Sequence, residues 1–169
     1  LEENDIFRLD SQYFLKADMA LLHRLHEIGC RPISAIARVT DGIHESIRFD
    51  EASGIRLVSA KSVRENFFDF SEPEFISNEQ HALNTRTSLR VGDVIVSSVG
   101  TIGNSAVVEK QHLPANADRH VGIMRVGKKV PAEFLSTYLL SKFGRFQTRR
   151  EATGSVQLNL FIIKIDALK

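Results

Sequence analysis

The sequence predicts an α+β domain with a β-rich, curled or twisted core, an N-terminal helix and a C-terminal helical pair. Three observations carry this. The middle of the chain holds apolar runs of strand length, Asp93–Val99, Ser105–Glu109 and Val121–Val126, separated by glycine-containing turns. Apolar residues recur at helical spacing ahead of them (Phe14, Ala17, Leu21, Leu22, Leu25, Ile28) and behind them (Phe134, Leu135, Leu139, Phe143, Phe146). No repeat, low-complexity tract or linker divides the 169 residues, so residues 1–169 are expected to form one domain. The chain stops within a segment that reads as ordered, Ile165–Lys169, as if cut from a longer polypeptide.

Taken in order, the first helix is expected from about Asp10 to Ile28, with Asp10 or Ser11 as its cap and Gly29 as its end. Pro32 introduces a short apolar segment, Ile33–Val39, and Thr40–Gly54 reads as a long polar loop. Ile55–Val58 is a strand, Asn66–Phe75 a turn-rich aromatic stretch, and Ser77 the cap of a helical turn. Asp93–Val99 and Ser105–Glu109 flank Gly100-Thr101-Ile102-Gly103, the pattern of a hairpin. After Val121–Val126, Pro131 suits the start of a helix over Ala132–Phe143. Gly144 is expected to break it, with a second helix over Arg145–Ala152 ended by Gly154, and Val156–Ile165 is β-prone.

Hydrophobic residues at 43% and charged residues at 25% are the balance of a globular protein. Cys30 is the sole cysteine, no apolar run reaches the roughly 18 residues of a membrane span, and the first residues do not form a signal peptide. A soluble, cytoplasmic protein without a membrane partner is expected. Net charge is only +1, yet residues 1–85 carry 9 Lys/Arg against 15 Asp/Glu, and residues 86–169 carry 13 against 6. A basic half beside an acidic half suggests a face for an anionic partner; segregation on a solvated surface is the plain alternative.

Motifs for catalysis are missing. Gly100-Thr101-Ile102-Gly103 lacks the lysine of a phosphate-binding loop and leads into a strand, and no GxGxxG is present. None of the prolines (Pro32, Pro73, Pro114, Pro131) is adjacent to another, which excludes the Asn/Asp-Pro-Pro-aromatic motif of adenine methyltransferases. Glu109-Lys110 has the wrong spacing for a metal-dependent nuclease. His23 and His26 fall off the apolar face of the first helix and read as solvated. His112 and His120 flank Asn116 and Asp118, a weak metal or hydrolase constellation at best. No catalytic residue, metal or cofactor is expected. Lys142, Arg145, Arg149 and Arg150 form a basic run, suited to phosphate or guanine contacts or else to a solvated helix face.

At this point the chain resembles a known family. Leu89-Arg90-Val91-Gly92-Asp93-Val94-Ile95-Val96-Ser97-Ser98-Val99-Gly100-Thr101-Ile102-Gly103 is similar to the "GDil-x-s-x-x-GtiG" signature of target recognition domains. These occur in the DNA specificity subunits of type I restriction-modification systems and in related N6-adenine methyltransferases. Asp41-Gly42-Ile43-His44, Gly54–Ala60, Ser77–His81, Phe134–Ser141 and Gly154-Ser155-Val156-Gln157 resemble further motifs of the family, in the same order. Arg8–Phe14 resembles the opening seen where such a domain follows a methyltransferase.

The resemblance implies a non-catalytic reader of double-stranded DNA that directs a methyltransferase or endonuclease to one half of a split site. Its partners would be an adenine methyltransferase, as a modification subunit or a fused domain, and a restriction subunit. Residues expected to face the duplex are His44, Lys61, Thr101, Asn104, Arg119, Lys142, Arg145, Arg149, Arg150 and Gln157. Among these, Gln157 and Asn104 suit adenine, and Arg149 or Arg150 suits guanine. A protein-interaction module with a basic face is the competing reading.

Overall fold

Strand β4 (Asp93–Ser97) is the centre of the molecule, and every one of its residues is buried. An apolar strand buried on both faces needs a layer on each side. The computed structural model, which describes residue 13, residues 15–154 and residues 158–169, supplies both. On one side, Val94 and Val96 meet Leu135, Leu139 and Ile165 from the helices and Leu160 from the segment before the last of them; on the other, Ile95 meets Val58, Ala115 and Ala117 from a second sheet.

The central sheet runs β1 (Ala37–Asp41), β7 (Val121–Val126), β4, β5 (Ser105–Val107), all antiparallel. β4 and β5 form the expected hairpin, with Ile95 opposite Ala106. The smaller sheet has β2 (Arg56–Val58) between β3 (Glu74–Phe75, antiparallel) and β6 (Ala115–Ala117, parallel). Helix α1 (Lys16–Glu27) precedes the sheets, and α2 (Asn78–Leu83) starts at Ser77, whose hydroxyl accepts from Gln80 N at 3.2 Å. Helices α3 (Ala132–Leu140), α4 (Lys142–Glu151) and α5 (Ile162–Ala167) follow β7. The predicted α+β class, with its leading helix and C-terminal helical pair, is the one observed. No helix among the described residues is long and apolar enough to cross a membrane.

Several local expectations are corrected. Asp10 and Ser11 lie outside the described residues, and the described helix begins at Lys16. Gly29 does close it: the N–H groups of Gly29 and Cys30 return to the carbonyls of His26 and Leu25. Thr40 and Asp41 extend β1 rather than opening the loop. Gly144 does not break the helical pair. The break is at Ser141, whose hydroxyl caps α4, while Gly144 sits inside α4 where a Cβ would stand 2.4 Å from Leu139 Cα. The glycine is there to let α3 and α4 touch. Of the β-prone stretch Val156–Ile165, Asn159 bridges Val99 and Thr153, but from Ile162 the chain is helix α5, because Ile162, Ile165 and Leu168, three residues apart, all pack on the central sheet.

The Gly-Asp pair at the start of β4 is scaffold. The Asp93 carboxylate accepts from Arg90 N at 2.9 Å and lies 3.6 Å from the Arg125 guanidinium, whose other arm donates to the carbonyls of Arg86 and Ser88. Burial pushes the Asp93 carboxyl above its ordinary range despite these partners.

Candidate nucleic-acid interface

At one end of the two sheets, three chain crossings are pinned together. Ile43 N donates to Ala117 O at 2.8 Å, Asp118 N to Val58 O at 3.0 Å, and Ser98 N to His120 O at 3.0 Å. Gly42 is required here by contact alone: a Cβ would stand 2.1 Å from the Asp118 carbonyl oxygen and 2.3 Å from that of Ala117. The loop 118–120 is therefore fixed against β1, β2 and the end of β4. Asp118 then orients His120, one carboxylate oxygen accepting from His120 N at 2.8 Å and the other meeting Nδ1 at 2.9 Å. His120 Nε2, on the other side of the ring, accepts from Arg119 Nε at 3.4 Å.

Two clefts open on either side of Val99 and His120. One, of ≈ 660 Å³, is bounded by Ile47, Phe49, Lys61, Arg64 and Thr101; the other, of ≈ 320 Å³, by Asp41, His44, Arg119, Asn159 and Phe161. Four of the sequence-predicted residues thus line these clefts, Lys61 and Thr101 the larger, His44 and Arg119 the smaller, with Val99 and His120 common to both. The Gly100-Thr101-Ile102-Gly103 loop gives Gly100 and Thr101 to the larger cleft. Gly100 and Gly103 have φ of 71° and 83°, and Gly103 turns against Thr148, whose Oγ1 would lie 2.6 Å from a Cβ. The loop is thereby wedged on α4 with Thr101 exposed.

The remaining predicted residues lie elsewhere. Asn104 is buried, its amide donating to Val63 O at 3.3 Å and accepting from Arg145 at 3.0 Å, so it does not present its amide to solvent. Arg145 also pairs with Glu65 at 2.7 Å. Arg149 reaches Asp18 of α1 at 3.2 Å, and Arg150 stacks 3.6 Å above the Tyr13 ring while pairing with Glu151 at 2.8 Å. The Arg150 side chain is only 10% exposed. Lys142 is exposed beside the Phe143 ring. None of these residues lines either cleft. Gln157 lies outside the described residues.

The charge asymmetry of the sequence has a partly internal outlet. Arg86–Asp41, Arg145–Glu65 and Arg149–Asp18 each join the basic half to the acidic half. His112 and His120 are not brought together: His112 packs edge-on to Phe68 at 4.9 Å and accepts from Glu109 N, whereas His120 pairs with Asp118. Among the described residues, no three His, Cys, Asp or Glu side chains are grouped to hold a metal. Sequence reasoning passed over Phe49 and gave His120 no part in the interface; the Asp118-x-His120 spacing was the available signal.

Asp41 anchors the second cleft by bonding His44 Nε2 and, at 2.9 Å, Arg86. Burial raises its carboxyl, but the bonds and charges of His44 and Arg86 outweigh this and hold it below the ordinary value. A carboxylate lowered on folding binds fewer protons when folded, so its stabilisation is complete above about pH 4 and is lost as pH falls through the folded-state value. Asp41→Asn is therefore expected to be less stable than the parent near neutrality, with the difference closing on acidification. Denaturant unfolding of both at several pH values measures it; a constant difference would contradict the pairing.

Comparison with known proteins adds the fold relationship. No protein-family model matches the chain, and no curated protein matches it in sequence. Among solved structures, it is similar to the S subunit of a type I restriction-modification system from M. genitalium, with a TM-score of 0.55 and 11% identity over 82% of this chain and 32% of that one. It shares its fold with that S subunit. A chain from a type I restriction-modification assembly gives a TM-score of 0.57 at 13% identity, covering 90% of this chain and 38% of its own. The type IIG restriction endonuclease BpuSI gives 0.67 at 10% identity, covering 93% of this chain and 26% of its own. The chain spans between 26% and 38% of the length of these proteins. The order of motifs that resembles target recognition domains thus accompanies a fold found in restriction-modification proteins.

Proposed function

We propose that this chain is a sequence-specific double-stranded DNA recognition module of a restriction-modification system, itself without catalytic activity. It would direct an adenine methyltransferase or endonuclease, as separate subunits or as domains of the same polypeptide, to one half of a target site. The observation that carries this is the gathering of His44, Lys61, Thr101 and Arg119, from separate stretches of sequence, around the rigid turn that holds His120. Lys61, its side chain 85% exposed and 3.4 Å from the Glu74 carboxylate it would exchange for phosphate, and Arg119 are the phosphate contacts that set register; Thr101, His44 and His120 are the candidates for base edges. Lys142 contributes from α4 as a peripheral phosphate contact. Arg145 and Asn104 act on the interface indirectly, by holding the glycine loop, while Arg149 and Arg150 hold α1. Gln157 keeps its assignment as an adenine reader.

Lys61→Ala and Arg119→Ala are each expected to weaken duplex binding across sequences and to reduce the salt slope by about 1. Arg149→Ala is expected to leave the slope unchanged and to lower thermal stability instead. Titration of labelled duplex at several salt concentrations measures the first, and thermal unfolding the second. Binding to acidic protein but not to duplex at low salt would replace this reading with the protein-interaction module.

A further inference from the structure

Phe49 is an aromatic ring kept in water by a backbone that has no freedom to turn it away. Its loop joins β1 to β2 and is clamped from α2 by one buried side chain. The Gln80 amide, only 3% exposed, accepts from Arg48 N at 2.8 Å and donates to Ser46 O at 3.0 Å. Ser77 N donates to Arg48 O at 2.9 Å, Asp50 N to Phe75 O at 3.0 Å, and Phe49 itself bridges Ile76. Ile47, two residues earlier, packs inward against the cluster of Ile43, Ile55, Leu57 and Ile76. Phe49 is left 63% exposed at the edge of the larger cleft, with Lys61, Thr101 and His120 along the same face. Phe161, 59% exposed, lines the smaller cleft, whereas Leu83 and Ile163 line neither.

A phenyl ring cannot read a donor or an acceptor. In the major groove of a duplex, the apolar group on a base edge is the C5-methyl of thymine. We infer that Phe49 is a specificity-determining residue that recognises a thymine C5-methyl group in the target duplex. This rests on the DNA-recognition reading above and adds the identity of one contact. The ring makes van der Waals contact with the methyl while Lys61 fixes the neighbouring phosphate. The clamp from Gln80 means that little side-chain or loop ordering is left to pay on binding.

The test begins by enriching random duplexes on the 169-residue chain at low salt and replacing each enriched thymine in turn by deoxyuridine, which removes the methyl alone. At one position the parent is expected to lose about fourfold in affinity, the worth of one buried methyl. Phe49→Ala should bind thymine and deoxyuridine duplexes equally, and Phe49→Leu should retain most of the difference. The exposure of Phe49 predicts that both variants fold, which thermal unfolding checks. Enriched sites without thymine, equal binding of deoxyuridine at every position by the parent, or discrimination that survives in Phe49→Ala would each overturn the inference while leaving DNA recognition intact. Absence of any duplex binding would overturn both. A ring that wedges between base steps would give bent duplexes and no dependence on the methyl, which also counts against it.

Discussion

Replacing Gly42 by alanine is expected to cost about 3 kcal/mol or more and to abolish duplex binding together with stability. The added Cβ would stand 2.1 Å from Asp118 O, 2.3 Å from Ala117 O and 2.4 Å from Asp118 C. All three neighbours are backbone, so no side-chain rotation can make room. Nor is either strand free to shift. Asp41, immediately before Gly42, is paired with Gly122 across the central sheet, and Ala117 is paired with Val58 in the smaller one. Relief therefore means separating the two sheets where they meet, which breaks the Ile43 N to Ala117 O bond and loosens Ile43, itself 2% exposed. For a chain of this size the loss corresponds to a fall in melting temperature of roughly 6–12 °C. The same crossing carries His44, Arg119 and His120, so affinity should fall at temperatures where the variant is still folded. Thermal unfolding and duplex titration measure the two effects. A variant that melts with the parent would show that the chains do not approach each other at Gly42.

The elements that sequence made legible are those whose hydrophobic period is local. β4 is an unbroken apolar run, β7 another, and α1 shows its spacing directly. β6 was illegible because Ala115, Asn116 and Ala117 have no strand preference of their own; parallel pairing with β2, far earlier in the chain, makes them a strand. The end of the β-prone C-terminal stretch, from Ile162, misled for a related reason. Its isoleucines favour a strand by propensity, but a helix places Ile162 and Ile165 on the sheet and leaves Ile163 70% exposed. The candidate site divides in the same way. Its glycine loop is a local motif, whereas the convergence of His44, Lys61, Thr101 and Arg119 is tertiary. The basic run of α4 looked like one ligand-facing patch, yet Arg145 and Arg149 find acidic partners in the first half of the chain, a pairing that spacing along the helix cannot reveal.

Asn116→Ala is expected to be the other strongly destabilising substitution, at about 3 kcal/mol, through lost hydrogen bonds rather than overlap. Asn116 is fully buried in β6, between two alanines that pack into the core between the sheets. Its amide nitrogen donates to Asn84 O at 3.0 Å and to Thr87 Oγ1 at 2.9 Å, and its oxygen meets His81 Nδ1. These bonds tie the C-terminal end of α2 and the turn after it to the smaller sheet. Alanine would leave the Thr87 hydroxyl, 1% exposed, with only its bond to Asn84 O, and would leave the His81 nitrogen without its partner in β6. Each unmatched buried group costs about 1–3 kcal/mol. Thr87→Val removes the same hydroxyl while keeping the shape of the side chain, so it should cost less, and the double variant should cost less than the two losses added. A coupling of about 1 kcal/mol in denaturant unfolding is the expected measure. Strict additivity would mean that the two side chains do not bond, and that β6 is held to α2 by its backbone alone.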